Sequence, residues 1–143
     1  MWEAGIGGRL DPVRLIAARR VALTSLDLEH TQLLGDTLAE IACDKLDAAP
    51  TGARAFIGES CASERAVIEA HCATRGLRAD WVGESTLQAP LPGVHQRRNL
   101  ALALSLARDV REISDARARA SLTNTRWPGR LERIGDDPLI VID

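Results

Sequence analysis

The residues best suited to chemistry are a carboxylate, a histidine and a lysine near the start of the chain. Glu3 opens the run Glu-Ala-Gly-Ile-Gly-Gly-Arg-Leu-Asp, which ends at Asp11, and His30 and Lys45 follow it. A carboxylate at a strand end, a glycine-rich bend and a histidine after a second strand can bring hard ligands around one divalent cation. Together with the motifs further along the chain, this pattern predicts nucleotide-dependent chemistry.

Four blocks of sequence, in a fixed order, carry a resemblance to a known family. The first is the run from Glu3 to Asp11. The others are a middle block of short motifs and two later runs: Thr24-Ser25, Glu29-His30, Leu34-Gly35-Asp36-Thr37 and Ile41-Ala42-Cys43-Asp44-Lys45, then Gly93 to Asn99, then Trp127 to Glu132. On these residues the chain resembles the folylpolyglutamate synthase and dihydrofolate synthase family, the folate branch of the Mur-type ligases.

Two features of that family are not found in the sequence. Its members begin with a phosphate-binding loop that contains Gly-Lys-Ser or Gly-Lys-Thr, and the chain has no Gly-Lys pair. After Asp143 the family would continue with Asp-Gly-Ala-His-Asn and a C-terminal domain. The resemblance therefore predicts an internal part of a ligase, for which the missing N-terminal and C-terminal portions are partners.

The resemblance implies that Glu3, His30 and Lys45 bind magnesium, with Lys45 and His30 also serving catalysis. In the family the matching lysine is carbamylated, which converts a cation into a carboxylate-like ligand. Lys45 follows Leu38 and Ile41 at helical spacing, so it projects from an apolar stripe. A partly buried lysine with a lowered pKa is the precondition for reaction with carbon dioxide.

Each of these residues has a structural alternative. Glu3 alone could be an ordinary carboxylate beside a turn, and His30 alone could be a hydrogen-bonded structural histidine. Lys45 could cover the core with its stem while its amine reaches water. The joint occurrence of Glu3 and His30 at the family's spacing favours the metal site, and the resemblance favours carbamylation of Lys45.

The glycine run predicts a tight bend that lets the backbone approach the substrate. It is not a dinucleotide fingerprint, because the third glycine of that motif is absent. The resemblance implies that Leu10, Asp11 and Pro12 line the pteroate pocket. Where the family has Asp-Ala-Thr-Asn, this chain continues from Asp11 with Pro-Val-Arg, so a non-folate acid stays open as the substrate.

The later blocks are expected to contact ATP. As the resemblance implies, the side-chain amides of Gln96 and Asn99 read the adenine edge, Arg130 binds phosphate and Asp143 holds the ribose hydroxyls. The alternatives are helix capping for Gln96 and Asn99 and a surface ion pair for Arg130.

Composition excludes several other classes of function. The net charge is −2 with both signs interspersed, and aromatic residues make up 3% of the chain, so neither nucleic acid nor an acidic membrane is an expected partner. The sequence has no apolar run long enough to span a bilayer and no secretory signal pattern. Cys43, Cys61 and Cys72 lack metal-site spacing and predict reduced, buried thiols. A cytoplasmic protein is the expectation.

The pattern of elements predicts an α/β fold. Strands are expected at the tail Trp2 to Ala4 and at the ranges 20–25, 53–58, 78–82 and 139–142, with helices from Leu38 to about Ala48 and from a Ser63 cap to Arg75. Between 99 and 110, leucine and alanine alternate like a strand, but both residues favour helix, so a buried helix is predicted. Alternating strands and helices predict a mostly parallel sheet flanked by helices.

The domain prediction assigns residues 1–122 to part of a Mur-ligase-type central ATPase domain and 123–143 to a linker and the start of a C-terminal α/β domain. The function predicted is a fragment of an ATP-dependent amide ligase that adds L-glutamate to folate through an acyl phosphate, with Mg²⁺ and ATP. Dihydropteroate stays open as a further acceptor. The alternatives are a Mur-type ligase for a non-folate acid, and a non-catalytic remnant or binding module.

Overall fold

The computed structural model describes residues 1–129 and 131–142. By its internal contacts the chain divides into two compact units, Met1–Gly83 and Glu84–Asp143. The predicted junction between residues 122 and 123 falls inside the second unit, and it stays a prediction about domain organisation.

The first unit contains three strands and three helices, preceded by a 3-10 turn at Pro12–Ile16. In chain order they are β1 (Arg20–Leu23), α1 (Thr31–Leu34), α2 (Leu38–Leu46), β2 (Arg54–Gly58), α3 (Arg65–Arg75) and β3 (Arg78–Val82). The strands form a parallel sheet in the order β1-β2-β3. The predicted α/β class with a parallel sheet is confirmed.

The core of the first unit lies between one face of the sheet and the helices α2 and α3. Parallel neighbours require crossover helices, and right-handed crossovers place both on the same face. Alternate residues of β2, Ala55 and Ile57, are fully buried and pack with Leu46 from α2 and Ile68 from α3. On the opposite face Phe56 is also buried, and the Arg54 guanidinium lies 4.9 Å from its ring centre.

Local signals explain where α2 and α3 begin and end. The Thr37 hydroxyl accepts from the Glu40 amide, and the Glu40 carboxylate accepts from the Thr37 amide, which completes the predicted capping box. Helix α3 ends at Gly76, which adopts the left-handed conformation that glycine tolerates best.

Two predictions about the first unit are wrong in detail. Trp2 to Ala4 forms no strand, because no described segment pairs with it. Ser63 does not cap α3, since it lies inside a 3-10 turn at Glu59–Glu64, and α3 starts afterwards with Glu64 at its N-cap. Burial of Cys61 holds that turn in the core, so packing overrides the cap signal.

The described residues of the second unit form two helices and a hairpin: α4 (Gln96–Val110), α5 (Asp115–Thr123), β4 (Glu132–Asp136) and β5 (Leu139–Ile142). Strands β4 and β5 pair in antiparallel fashion. The alternating leucine and alanine run is a helix as predicted, and its Leu100 packs with Leu87 and with Ala118 of α5. Within the described residues, no helix combines the length and apolar character needed to cross a bilayer.

Candidate functional site

The glycine run folds back on itself around Asp11. One carboxylate oxygen of Asp11 accepts from the amides of Gly5 at 2.8 Å and Ile6 at 3.2 Å, and the other accepts from the Val13 amide at 2.8 Å. These bonds favour the ionised form, so the pKa of Asp11 is lowered, with the Val13 amide the largest cause. We call the segment from Gly5 to Asp11 the glycine loop.

The glycine loop is joined to α2 by Asp44. Its carboxylate accepts from the Gly8 amide at 2.9 Å and lies 3.3 Å from the Nε of Arg9. A Cβ atom on Gly8 would lie 2.3 Å from the carbonyl oxygen of Lys45, so only glycine lets the two backbones approach this closely. The glycine run thus packs closely on α2, and its approach to a substrate stays a prediction.

Lys45 lies at this junction and forms an ion pair. Its Nζ is 2.9 Å from Oε1 of Glu29, and 23% of its side chain is exposed. The Lys45 ammonium lowers the pKa of the Glu29 carboxyl, first through the hydrogen bond and then through its charge. His30 follows directly, in a left-handed conformation at the start of α1.

The fold joins Lys45 to Glu29 and to the glycine loop, and the metal site of Glu3, His30 and Lys45 stays a prediction. Glu29 pairs with Lys45, and the glycine loop rests on Lys45 and Asp44. His30 follows Glu29 in the chain, and Glu3 and His30 are both exposed. Residues 1–129 and 131–142 contain no group of three or more His, Cys, Asp and Glu side chains placed to hold a metal ion.

The residues predicted to bind magnesium fit that ion only if Lys45 itself becomes a ligand. As an ammonium, Lys45 balances Glu29. Carbamylation would place a second anion beside the Glu29 carboxylate, and two adjacent anions require a cation. Carboxylate and carbamate oxygens are hard donors that suit magnesium.

The predicted substrate residues lie on the glycine loop and just after it. Leu10 is 87% exposed and Pro12 is exposed. Asp11 caps the 3-10 turn that begins at Pro12, and both of its oxygens already accept backbone amides. The role of these three residues in binding substrate stays a prediction.

The predicted adenine-reading residues lie in the first turn of α4. The Asn99 side-chain amide donates to Oε1 of Gln96 at 3.3 Å, and Gln96 in turn lies 3.2 Å from a ring nitrogen of His95. The N-cap residue, His95, makes no side-chain capping bond. Arg130 and Asp143, predicted to contact phosphate and ribose, lie outside the described residues.

Sequence reasoning missed two features of this region. The first is Asp44. The sequence feature that could have indicated it is a carboxylate directly before Lys45 on the same helix. The second is a cleft of about 620 Å³ beside α1 and α2. Its lining includes Arg9, Leu33, Cys43 and Val67, and none of the residues predicted to contact substrate or metal lies in it.

The chain matches known proteins along nearly its whole length. A probable bifunctional folylpolyglutamate synthase/dihydropteroate synthase of Halobacterium salinarum is 32% identical over 99% of this chain and 20% of the relative. The folylpolyglutamate synthase of Lacticaseibacillus casei is 33% identical over 99% of this chain and 40% of the relative. The chain thus spans less than half of these relatives. No family model matches it.

Solved structures agree with the sequence matches. A folylpolyglutamate synthase in complex with AMPPCP and folate superposes with a TM-score of 0.80 at 31% identity, covering 99% of this chain and 42% of the other. A bifunctional folylpolyglutamate synthase/dihydrofolate synthase from Yersinia pestis, complexed with AMPPNP and a manganese ion, superposes with a TM-score of 0.76 at 25% identity. The match covers 99% of this chain and 38% of the other.

A parallel sheet flanked by helices and followed by a hairpin is, on these matches, part of a Mur-type ligase fold. More narrowly, the chain is related over nearly its whole length to a part of the folylpolyglutamate synthase and dihydrofolate synthase family. The resemblance seen in the motifs is confirmed.

Proposed function

We propose that the chain supplies a metal-binding and nucleotide-binding part of an ATP-dependent ligase that adds L-glutamate to a folate-type acid. The observation that supports this most is in the first unit, where Lys45 pairs with Glu29, the residue before His30, and the glycine loop packs on Lys45. Further support comes from the ligands of related structures, which are AMPPCP with folate in one case and AMPPNP with manganese in another.

The reaction proposed has two steps. The substrate carboxylate attacks the γ-phosphorus of ATP, which gives an acyl phosphate and ADP. The amine of glutamate then attacks the acyl carbon, an amide bond forms, and phosphate leaves. Positioning and electrostatic stabilisation carry most of such catalysis.

Residues of this chain hold the groups that react. Glu3, His30 and carbamylated Lys45 are the proposed ligands of Mg²⁺, which when bound neutralises charge on the transferred phosphoryl oxygens. Gln96 and Asn99 orient the adenine, and Arg130 and Asp143 hold phosphate and ribose. Leu10 and Asp11 of the glycine loop, with Pro12 after it, line the folate pocket. Glu29 keeps the Lys45 side chain in place before carbamylation.

The proposal includes partners and a location. The remaining portions of the ligase supply the phosphate-binding loop, because the chain has no Gly-Lys pair, and the rest of the C-terminal domain. Cys43, Cys61 and Cys72 are free thiols, as is usual in the reducing cytoplasm, and this supports a cytoplasmic enzyme.

The experiment that tests the function is ATP consumption with glutamate and reduced folates. The 143-residue chain alone should show no turnover. It should gain turnover when mixed with a polypeptide that supplies the remaining portions of a ligase of this family. Turnover of roughly 1 per second or more by the chain alone would contradict the proposal. Binding of the partner without any ATP consumption would favour a non-catalytic binding module.

A second ligase activity is favoured by one observation. Where the family has Asp-Ala-Thr-Asn, Pro12 begins a 3-10 turn, and the sequence continues with Val13 and Arg14. Amide formation by the reconstituted enzyme with non-folate carboxylic acids, but not with reduced folates or dihydropteroate, would assign it to a different Mur-type pathway.

A further inference from the structure

Asp44 is a buried carboxylate for which the proposed reaction has no use. We propose that Asp44 is a positioning residue, which fixes the glycine loop to the turn of α2 that carries Lys45 and so sets the spacing of the metal ligands. This inference rests on the proposed function, because it assigns Asp44 a role in the same metal site.

The burial of Asp44 requires strong partners. Only 10% of its side chain is exposed, and a buried charge is costly unless it is paired and hydrogen-bonded. Its partners are the Gly8 amide at 2.9 Å and the Nε of Arg9 at 3.3 Å. Both belong to the glycine loop, so the charge of Asp44 is satisfied only when the loop lies on α2.

The contact between loop and helix is tight as well as polar. A Cβ on Gly7 would lie 2.3 Å from Oδ1 of Asp44 and 2.5 Å from Cδ2 of Leu34, and one on Gly8 would lie 2.7 Å from the Asp44 carbonyl oxygen. Interfaces this close have little freedom to slide. The loop, α1 and α2 therefore meet at one position, one residue away from Lys45.

Asp44 acts through the loop and not on the substrate. Its Oδ1 accepts from the Gly8 amide and its Oδ2 faces Arg9, so both oxygens already have partners. Residues that orient ligands in this way typically change metal affinity by about 10-fold to 100-fold when they are removed.

The test uses amide hydrogen exchange and Mn²⁺ binding on the intact chain, with bicarbonate in the buffer so that Lys45 can be carbamylated. Asp44→Ala should raise the exchange rate of the Gly8 amide by roughly tenfold or more, since its acceptor is gone. The same variant should weaken Mn²⁺ binding, measured by the line broadening of nearby amide signals, by about tenfold. Asp44→Asn, which keeps an acceptor oxygen without the charge, should fall between Asp44→Ala and the unchanged chain.

Asp47→Ala is the matched control. Asp47 is also close to Lys45 in the sequence, at the end of α2, but its carboxylate pairs with His71 at 2.9 Å and Arg75 at 3.1 Å, away from the glycine loop. It should change neither Gly8 exchange nor Mn²⁺ affinity.

Three results would count against the positioning role of Asp44, and the third would also count against the proposed metal site. Unchanged Gly8 exchange in Asp44→Ala and Asp44→Asn overturns the positioning role. So does a loss of Mn²⁺ affinity no greater than that of Asp47→Ala. If the unchanged chain binds no Mn²⁺ while Asp44 still protects the Gly8 amide, the metal site of the proposed function fails, and the role of Asp44 in it fails as a consequence.

Discussion

At the scale of single residues, Lys45 has an unusual position in this chain. It is the only lysine, and every other strongly basic side chain is an arginine. Arginine would serve at least as well in an ion pair with Glu29, because it is always charged and can bind a carboxylate through two nitrogens. A primary amine can do one thing a guanidinium cannot, which is to react with carbon dioxide. Its presence here therefore favours the carbamate.

Lys45→Ala should abolish ATP consumption in the reconstituted ligase, because a magnesium ligand is lost. A small carboxylate added to the solution should restore part of the activity, since the missing piece is an anionic ligand. Lys45→Arg should be inactive, because it cannot form a carbamate and keeps its positive charge beside the metal. The measurement is the rate of ATP consumption at saturating magnesium.

The structural alternative for Lys45 makes the opposite forecast. If the side chain only pairs with Glu29 at 2.9 Å, Lys45→Arg preserves the pair and should keep near-normal activity. That outcome would remove the carbamate from the proposed site. The absence of any isotope-labelled lysine carbamate signal in a reconstituted ligase with full activity would have the same consequence.

Cys61 gives a prediction about pH. It is fully buried, and burial raises the pKa of its thiol from 9.0 to about 11. In the unfolded chain the thiol loses its proton first, so its contribution to stability is complete below about pH 9 and falls as the pH rises toward about 11. We expect a loss on the order of 2 kcal/mol across that window, measured by urea unfolding.

The control for Cys61 is the alanine variant. Cys61→Ala lowers stability at every pH because it removes buried sulfur, but it should flatten the dependence above about pH 9. An equal slope in both proteins would show that other groups, such as Cys43 and Cys72, whose thiol pKa values are also raised, cause the alkaline loss.

At the scale of elements, the glycine loop shows what a sequence can and cannot predict. The tight bend followed from Gly5, Gly7 and Gly8, and the start of α2 followed from the Thr37 and Glu40 capping box, because both signals act over a few residues. The attachment of the loop to Asp44 joins residues 36 positions apart. No local pattern encodes such a contact, so it required the structure.

The same distinction between local signals and long-range contacts holds for the other elements and for the site residues. The alternating leucines of α4 predict a helix because leucine and alanine have high helix propensity. The helix forms, but only Leu100, Ala101 and Leu102 are buried, so the expected burial of the whole helix is wrong. Helix α5 was not predicted: Ser114 caps it, but its arginine-rich sequence has only a short apolar stripe, which packs through Ala118 on Leu100. The roles of Glu3, Gln96 and Asn99 came from resemblance, and they stay predictions.

Gly7→Ala should destabilise the first unit more than Gly52→Ala does. Both glycines have positive φ, +65° and +82°, so both substitutions carry the left-handed penalty of roughly 1–2 kcal/mol. Gly52 faces open space, whereas a Cβ on Gly7 meets Asp44 and Leu34 below 3 Å. The difference between the two variants, from urea unfolding, isolates the packing of loop against helix. Equal losses of unfolding free energy in the two variants would mean that the loop moves aside for the new methyl group at no energetic cost.

At the scale of the whole chain, several surfaces are left without a covering element. Within the described residues, β1 and β3 each pair on one side only. In the second unit, all four residues of β5 are exposed although each is a large aliphatic. Open strand edges and contiguous apolar surface both promote association. Since the chain spans 20% to 40% of its relatives, we expect further parts of a ligase to cover these surfaces.

We therefore expect the isolated chain to form dimers or larger assemblies in solution. The net charge of −2 opposes association only weakly. Leu139, 62% exposed, lies opposite Asp136 in the hairpin. Leu139→Lys places a charge on the apolar strand and a favourable partner opposite Asp136. It should weaken self-association roughly fivefold or more, measured by sedimentation equilibrium over a range of concentrations.

Ser121→Lys is the matched control, because it adds the same charge to an exposed position on α5 in the same unit. If it weakens association as much as Leu139→Lys, net charge and not the apolar hairpin governs assembly. If the unchanged chain is a monodisperse monomer that unfolds cooperatively, these surfaces need no partner. The expectation that other parts of a ligase cover them would then be wrong, because an exposed apolar strand that does not associate in water gives no sign of a missing partner.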